Sequence, residues 1–143
     1  MPESSHATCF IDTNVWLYAF IDGQDDRKRR TAGELIQTNR PVISTQVINE
    51  ICINLLRQTA ISETEIRDLI GSFYARYVVL ESSREVVAQA SRLRERYSLS
   101  YWDSLIVANA LQSGAPILYS EDMHDGLVIE ERLEIRNPFA NRE

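Results

Sequence analysis

Four acidic residues stand where acids are hard to dismiss. Asp12 closes the apolar run Cys9-Phe10-Ile11 and is followed by Thr13 and Asn14. Asp122 comes just after a second apolar run, in Ser120-Glu121-Asp122. Asp103 shares a helix face with Ile106, Val107 and Ala110, at spacings of three, four and seven. Glu50 borders a stripe of Val47, Ile51 and Leu55. Each has an ordinary explanation by itself. Asp12 with Asn14 reads as a turn or a helix cap. Asp122 reads as part of a solvated acidic turn. Asp103 reads as the third-position acid of a cap begun by Ser100, where the helix dipole favours negative charge. Glu50 reads as a solvated helix glutamate. As a set they imply more. Carboxylates brought together raise one another's pKa values, and a divalent cation relieves that repulsion. An all-oxygen donor set suits Mg²⁺ or Mn²⁺ rather than zinc.

The elements that must position these acids follow from periodicity and punctuation. Short β-prone runs at 7–12, 41–44, 77–80 and 116–120 read as strands, with one more short strand at 127–129 or 133–135. Helices are expected over 15–21, 27–38, 45–59, 62–75, 82–97 and 101–113, with a turn at 23–26. Ser62 with Glu65 and Ser82 with Glu85 read as capping boxes, Ser100 as a cap, and Gly114 as a helix stop. Strands alternating with helices predict βαβ units and a largely parallel sheet covered on both faces. In such sheets ligands bind beyond the carboxyl ends of the strands. Asp12 and Asp122 are expected there.

The chain has 143 residues, which fits one domain over 1–143, with a loose tail expected after about 138. Hydrophobic residues make up 44% and charged residues 25%, which excludes disordered and fibrous classes. No apolar run approaches a membrane span, and the first residues do not read as a secretory signal. Cys9 and Cys52 form no disulfide framework and read as reduced, buried thiols. A soluble, cytoplasmic protein is expected. The net charge of −6 argues against non-specific nucleic-acid binding. Fourteen of the fifteen basic residues are arginine, which contacts phosphate at two points. Lys28 is the only lysine. That excludes a dehalogenase-type phosphatase and a response-regulator receiver, which need a lysine after a late strand. No P-loop occurs. A zinc site would have to gather His6, His124, Cys9 and Cys52 from unrelated segments.

At Phe10-Ile11-Asp12-Thr13-Asn14-Val15, Asn49-Glu50, Tyr101-Trp102-Asp103-Ser104-Leu105-Ile106-Val107-Ala108 and Ser120-Glu121-Asp122, the sequence resembles the PIN-domain ribonucleases. It looks most like the small VapC-type toxins of bacterial toxin–antitoxin pairs, over nearly the whole chain. The resemblance implies a three-layer α/β/α sandwich with a central, mostly parallel sheet. It implies that Asp12 and Asp103 are direct ligands of one or two Mg²⁺ or Mn²⁺ ions and that Glu50 and Asp122 complete the pocket. Thr13, Asn14 and Ser120 stand at supporting positions, and Asp125 competes with Asp122 as the fourth acid. The implied activity is endonucleolytic cleavage of single-stranded or loop RNA, leaving 5′-phosphate and 3′-hydroxyl ends. The implied partners are an RNA substrate, a second copy of the chain in a homodimer, and an antitoxin protein. Trp16, Leu17, Tyr18 and Phe20 are expected either to line the antitoxin's groove or to pack in the core. Arginines of the 27–30 run, or Arg92, Arg94 and Arg96, are expected to contact substrate or to be solvated. Two alternatives share the fold: a catalytically silent binding module and an RNA-processing nuclease that is not a toxin.

Overall fold

The computed structural model describes residues 7–140 apart from 22 and 24. The elements run β1 (Thr8–Ile11), α1 (Thr13–Phe20), α2 (Asp26–Thr38), β2 (Arg40–Ser44), α3 (Thr45–Gln58), α4 (Glu63–Arg76), β3 (Val78–Leu80), α5 (Arg84–Arg96), α6 (Tyr101–Ser113), β4 (Ile117–Tyr119), β5 (Val128–Ile129) and β6 (Leu133–Arg136). One six-stranded sheet has the order β3-β2-β1-β4-β6-β5. All neighbouring strands are parallel except β5, which is antiparallel to β6. Around the sheet α1 packs on α2 and α3, and α5 packs on α6. The result is an α/β/α sandwich, as the alternation of elements predicts.

Both places offered for a last strand are strands, and they pair with each other. Each is too short to stand alone. Leu133 and Ile135 are fully buried while Glu134 and Arg136 are not, the period of two expected of a sheet with one covered face. The central strands β1 and β2 are instead buried over nearly their whole length, as parallel strands covered on both faces must be.

Side-chain caps start the helices. Ser62 and Glu65 form the expected reciprocal box, and Ser100 Oγ accepts the Asp103 N–H at 3.1 Å. The box expected at Ser82 with Glu85 is displaced by one residue. Ser83 is the cap, accepting the Val86 N–H at 3.2 Å, so Glu85 falls too early in the helix to reach back. Ser82 Oγ accepts from Asn109 Nδ2 instead, at 3.3 Å. Gly114 ends α6 with φ +78°, a left-handed position that glycine adopts without strain.

The apolar face of α6 is wider than the stripe read from the sequence. Ser104 to Leu111 are all buried, enclosed by β1, β2, β4 and α5. The tail expected to be loose after 138 is still packed at Phe139, whose ring meets that of Tyr18 at 5.1 Å and 78°. Residues 141–143, His6 and Gln24, the last within the expected turn at 23–26, lie outside the described residues. Among the described residues no helix is long and apolar enough to cross a membrane.

Candidate active site

β1 pairs with β2 on one side and with β4 on the other. The strand order reverses between β1 and β4, which opens a crevice at their carboxyl ends. Asp12 is the first residue beyond β1, and Ser120 the first beyond β4. The Asp12 N–H donates to the Tyr119 carbonyl at 2.9 Å, which holds the two strand ends together.

Asp12 is both a cap and more than a cap. One carboxylate oxygen accepts the Thr13 N–H at 2.8 Å at the start of α1. The other accepts the Ser120 hydroxyl at 2.8 Å. The residue is only 6% exposed. Burial raises its pKa from 3.8 to about 6; the two hydrogen bonds pull it down, and the charges of Asp103 and Glu50 push it up. Asp103 sits in the first turn of α6, half-buried. Its pKa is raised by burial and by the charges of Asp122 and Glu50, against the opposing effect of Ser100. Glu50 accepts the Thr13 hydroxyl at 2.5 Å and Gln46 Nε2 at 3.1 Å, so α3 and α1 are joined through a carboxylate. Asp122 is exposed in the loop after β4.

These acids share one cleft of about 300 Å³. Asp12, Thr13, Asn14, Glu50, Asp103 and Asp122 line it, with Leu17, Asn54, Trp102 and Ile106 completing the walls. Asp125 is not among the lining residues, and its Oδ1 accepts the Asn137 N–H at 2.8 Å. Ser120 is linked to the cleft through Asp12, to which it donates; it is fully buried and also accepts the Met123 N–H at 3.3 Å. Among the described residues, no three His, Cys, Asp or Glu side chains stand close enough to hold an ion as they are. The donor chemistry nonetheless fits a hard cation. The groups are all oxygens, two carboxyls carry pKa values raised by burial and by their neighbours, and Asn14 Oδ1 is buried without a hydrogen-bond partner.

Other expectations resolve differently. Trp16 belongs to the core: it is 1% exposed, its indole N–H donates to the Ile11 carbonyl at 3.1 Å, and its ring meets Phe73 and Tyr77 edge-on. Leu17 and Tyr18 are half-buried, and Phe20 is exposed. Arg94 donates to Ser104 Oγ at 2.7 Å, Arg96 pairs with Glu130 at 2.8 Å, and Arg27 donates to the Phe139 carbonyl at 3.3 Å. Cys9 and Cys52 are free and buried, and burial pushes the Cys9 thiol up to about 12.

Sequence reasoning missed Gln46 and Asn54, each one helical turn from Glu50. Gln46 holds the Glu50 carboxylate and also donates to the Trp102 carbonyl at 3.3 Å, tying α3 to α6. Asn54 donates to the Glu50 carbonyl at 2.8 Å. The spacing of four was the available signal. It also missed the role of the lone lysine. Lys28 forms an ion pair with Glu121, next to Asp122, and Tyr18 donates to the same carboxylate at 2.9 Å.

Comparison with known proteins bears on the family and the fold. The PIN domain family profile matches residues 9–124. Searching the curated proteins by sequence gives no match. Solved structures share the fold at low identity. A toxin–antitoxin complex from Klebsiella pneumoniae is similar with a TM-score of 0.66 at 17% identity, covering 92% of this chain and 98% of that one. VapBC2 from Rickettsia felis, bound to a DNA fragment from its promoter, is similar with a TM-score of 0.59 at 18% identity, covering 91% and 99%. VapC20 of Mycobacterium tuberculosis, a sarcin–ricin loop cleaving toxin, is similar with a TM-score of 0.63 at 20% identity, covering 77% and 86%. With the family profile spanning β1 to the loop that carries Asp122, the chain belongs to the PIN domain family.

Proposed function

We propose that this protein is a Mg²⁺- or Mn²⁺-dependent endoribonuclease that cleaves single-stranded or loop RNA, and that it is the toxin of a toxin–antitoxin pair. One observation carries the reading: Asp12, Glu50, Asp103 and Asp122, from four separate elements or loops, line one cleft at the carboxyl edge of the sheet. Asp12 and Asp103 are assigned as direct ligands of the cation, with Glu50 and Asp122 completing the pocket. A divalent cation held there would supply water of lowered pKa and neutralise charge gathering on the phosphate.

The chain's own residues do the positioning. The Thr13 N–H and the Ser120 hydroxyl fix both oxygens of Asp12, so its carboxylate keeps one orientation. The Thr13 hydroxyl and Gln46 do the same for Glu50. The reaction is hydrolysis: water adds to phosphorus, the bond to the 3′ oxygen breaks, and that oxygen takes a proton. The products carry 5′-phosphate and 3′-hydroxyl ends. Neither lysine nor histidine takes part.

That VapC20 cleaves the sarcin–ricin loop supports an RNA loop as the substrate class. The toxin–antitoxin assemblies of the other similar structures support an antitoxin partner, and a homodimer is proposed with it. The test is cleavage of an end-labelled, loop-containing RNA with Mg²⁺, with Mn²⁺ and with EDTA, beside Asp12→Asn and Asp103→Asn. Cleavage that needs the cation and is lost in both variants is expected. Cleavage that survives in EDTA or in both variants would overturn the site assignment. Cation binding without cleavage of any RNA would favour a silent binding module.

A further inference from the structure

Beside the acidic cleft lies a second compartment of about 450 Å³, lined by Thr45, Gln46, Asn49, Glu50 and Trp102. It shares Glu50 and Trp102 with the cleft, so the two adjoin. Trp102 directly precedes Asp103 on the first turn of α6 and is 62% exposed. The chain's other tryptophan, Trp16, is buried. Trp102 and the half-exposed Tyr101 make a contiguous aromatic patch at the rim of the cleft, the kind of surface that marks a binding site.

Trp102 is also held in place. Arg94, anchored on Ser104 Oγ, lies with its guanidinium carbon 4.5 Å from the Tyr101 ring centroid. The Tyr101 ring meets that of Trp102 edge-on, at 5.1 Å and 80°. Gln46 donates to the main-chain carbonyl of Trp102. The main chain that carries the indole is thus anchored, and one edge of the ring rests on Tyr101, so less freedom is lost on stacking than for an aromatic on an unanchored segment.

We infer that Trp102 and this compartment form a base-stacking subsite for the nucleotide next to the phosphate held in the acidic cleft. The inference rests on the nuclease reading and adds a substrate contact to it. A nucleobase suits the compartment for three reasons. It offers a flat π-face to the indole, which single-strand binders use for any base. It hangs from the same backbone that must lie in the adjoining cleft. Its polar edge would meet the amide of Asn49, exposed on α3. A duplex hides its base faces, so the subsite selects unstacked strands, in keeping with recognition of single-stranded loops.

The test uses the whole protein with Mg²⁺ and a short, nuclease-resistant 2′-O-methyl phosphorothioate strand, compared with an abasic strand of the same length. Binding is read by anisotropy of a dye on the strand, and stacking by tryptophan emission. The base-bearing strand is expected to quench the red, solvent-exposed component from Trp102 and spare the blue component from Trp16. Trp102→Leu is expected to bind the base-bearing strand roughly 5- to 150-fold more weakly, the ~1–3 kcal/mol of one stacked base, with a much smaller loss for the abasic strand. Trp102→Phe is expected to fall between. Strand binding without quenching, or equal loss for both strands, would overturn the subsite and leave the nuclease reading intact. Emission that shifts with protein concentration alone would also overturn it and assign Trp102 to contact with a second copy. Failure of the wild-type protein to cut RNA is a separate result and counts against the nuclease reading.

Discussion

Asp12 is crowded by two acids and held by two donors, and burial outweighs the donors. Its carboxyl is pushed up to about 6 from an ordinary 3.8, so the folded protein binds a proton there more readily than the unfolded chain does. The sign of the pH dependence follows from that. Below the unfolded value both states are protonated and Asp12 costs nothing. As pH rises through the folded value the cost builds to about 3 kcal/mol at neutral pH for the metal-free protein. Asp12→Asn removes that cost and keeps a side-chain acceptor for the Thr13 N–H. In EDTA the variant should melt above the wild type at neutral pH, and the gap should close towards pH ~4. A variant that melts lower at neutral pH would refute the account. Ser120→Ala acts the other way. It removes the hydroxyl from one Asp12 oxygen and from the Met123 N–H, inside a fully buried site. It should cost about 1–3 kcal/mol, and NMR titration should find the Asp12 pKa higher still. At this scale the sequence was informative about the acids and about Asn14, and the reading passed over Gln46 and Asn54. An acid on an apolar strand end is conspicuous in one dimension; the spacing of Gln46 from Glu50 is local too, but its bond to Trp102 exists only when α6 is laid across α3.

The loop that carries Asp122 is steadied by an element remote in sequence. Lys28 on α2 pairs with Glu121 and donates to the Tyr18 hydroxyl at 3.3 Å. Its ammonium also lies 5.0 Å from the Tyr18 ring centroid and 5.5 Å from that of Phe139. The pair is partly screened, with side chains 25% and 21% exposed, so the whole cluster stabilises by about 1 kcal/mol. Lys28→Met should lower stability by that order and, more tellingly, loosen the loop. Amide exchange over 120–126 should quicken while the core of α6 stays protected. Unchanged exchange in that loop would show that α2 does not steady it. Periodicity and caps made the helices legible, because each signal is local: Ser62 with Glu65, Ser100, Gly114. The reading failed where two local solutions were equivalent. Ser82 and Ser83 can both cap α5; Ser83 does so, while Ser82 accepts from Asn109 of a helix later in the chain. The two halves of the β5–β6 hairpin were likewise ambiguous singly, since each is defined by the other.

At the scale of the molecule, strand order brings the acids together. Alternating elements imply a parallel sheet, but nothing local says that β1 lies between β2 and β4. That placement puts the end of β1 beside the loop after β4. The long-range contacts that set it cannot be read from one segment at a time. A chain of net charge −6 that gathers four carboxylates in one cleft destabilises itself there, and a cation binding only the folded form should return that stability. At about a hundred times its dissociation constant, a single Mn²⁺ adds ~2.7 kcal/mol. For a domain of this length that is a rise of roughly 5–12 °C in melting temperature. General screening of the negative charge would also raise it, so the control is KCl at matched ionic strength. The rise specific to Mn²⁺ should vanish in Asp12→Asn and Asp103→Asn. It should shrink in Asp122→Asn and persist in Asp125→Asn, whose side chain is bonded to the Asn137 N–H and lies outside the cleft lining. If Asp103→Asn kept the full rise, the cation would be binding elsewhere, and the four-acid cleft would lose its assignment. If KCl reproduced the rise in every variant, the carboxylates would be a patch of charge with no ion of their own.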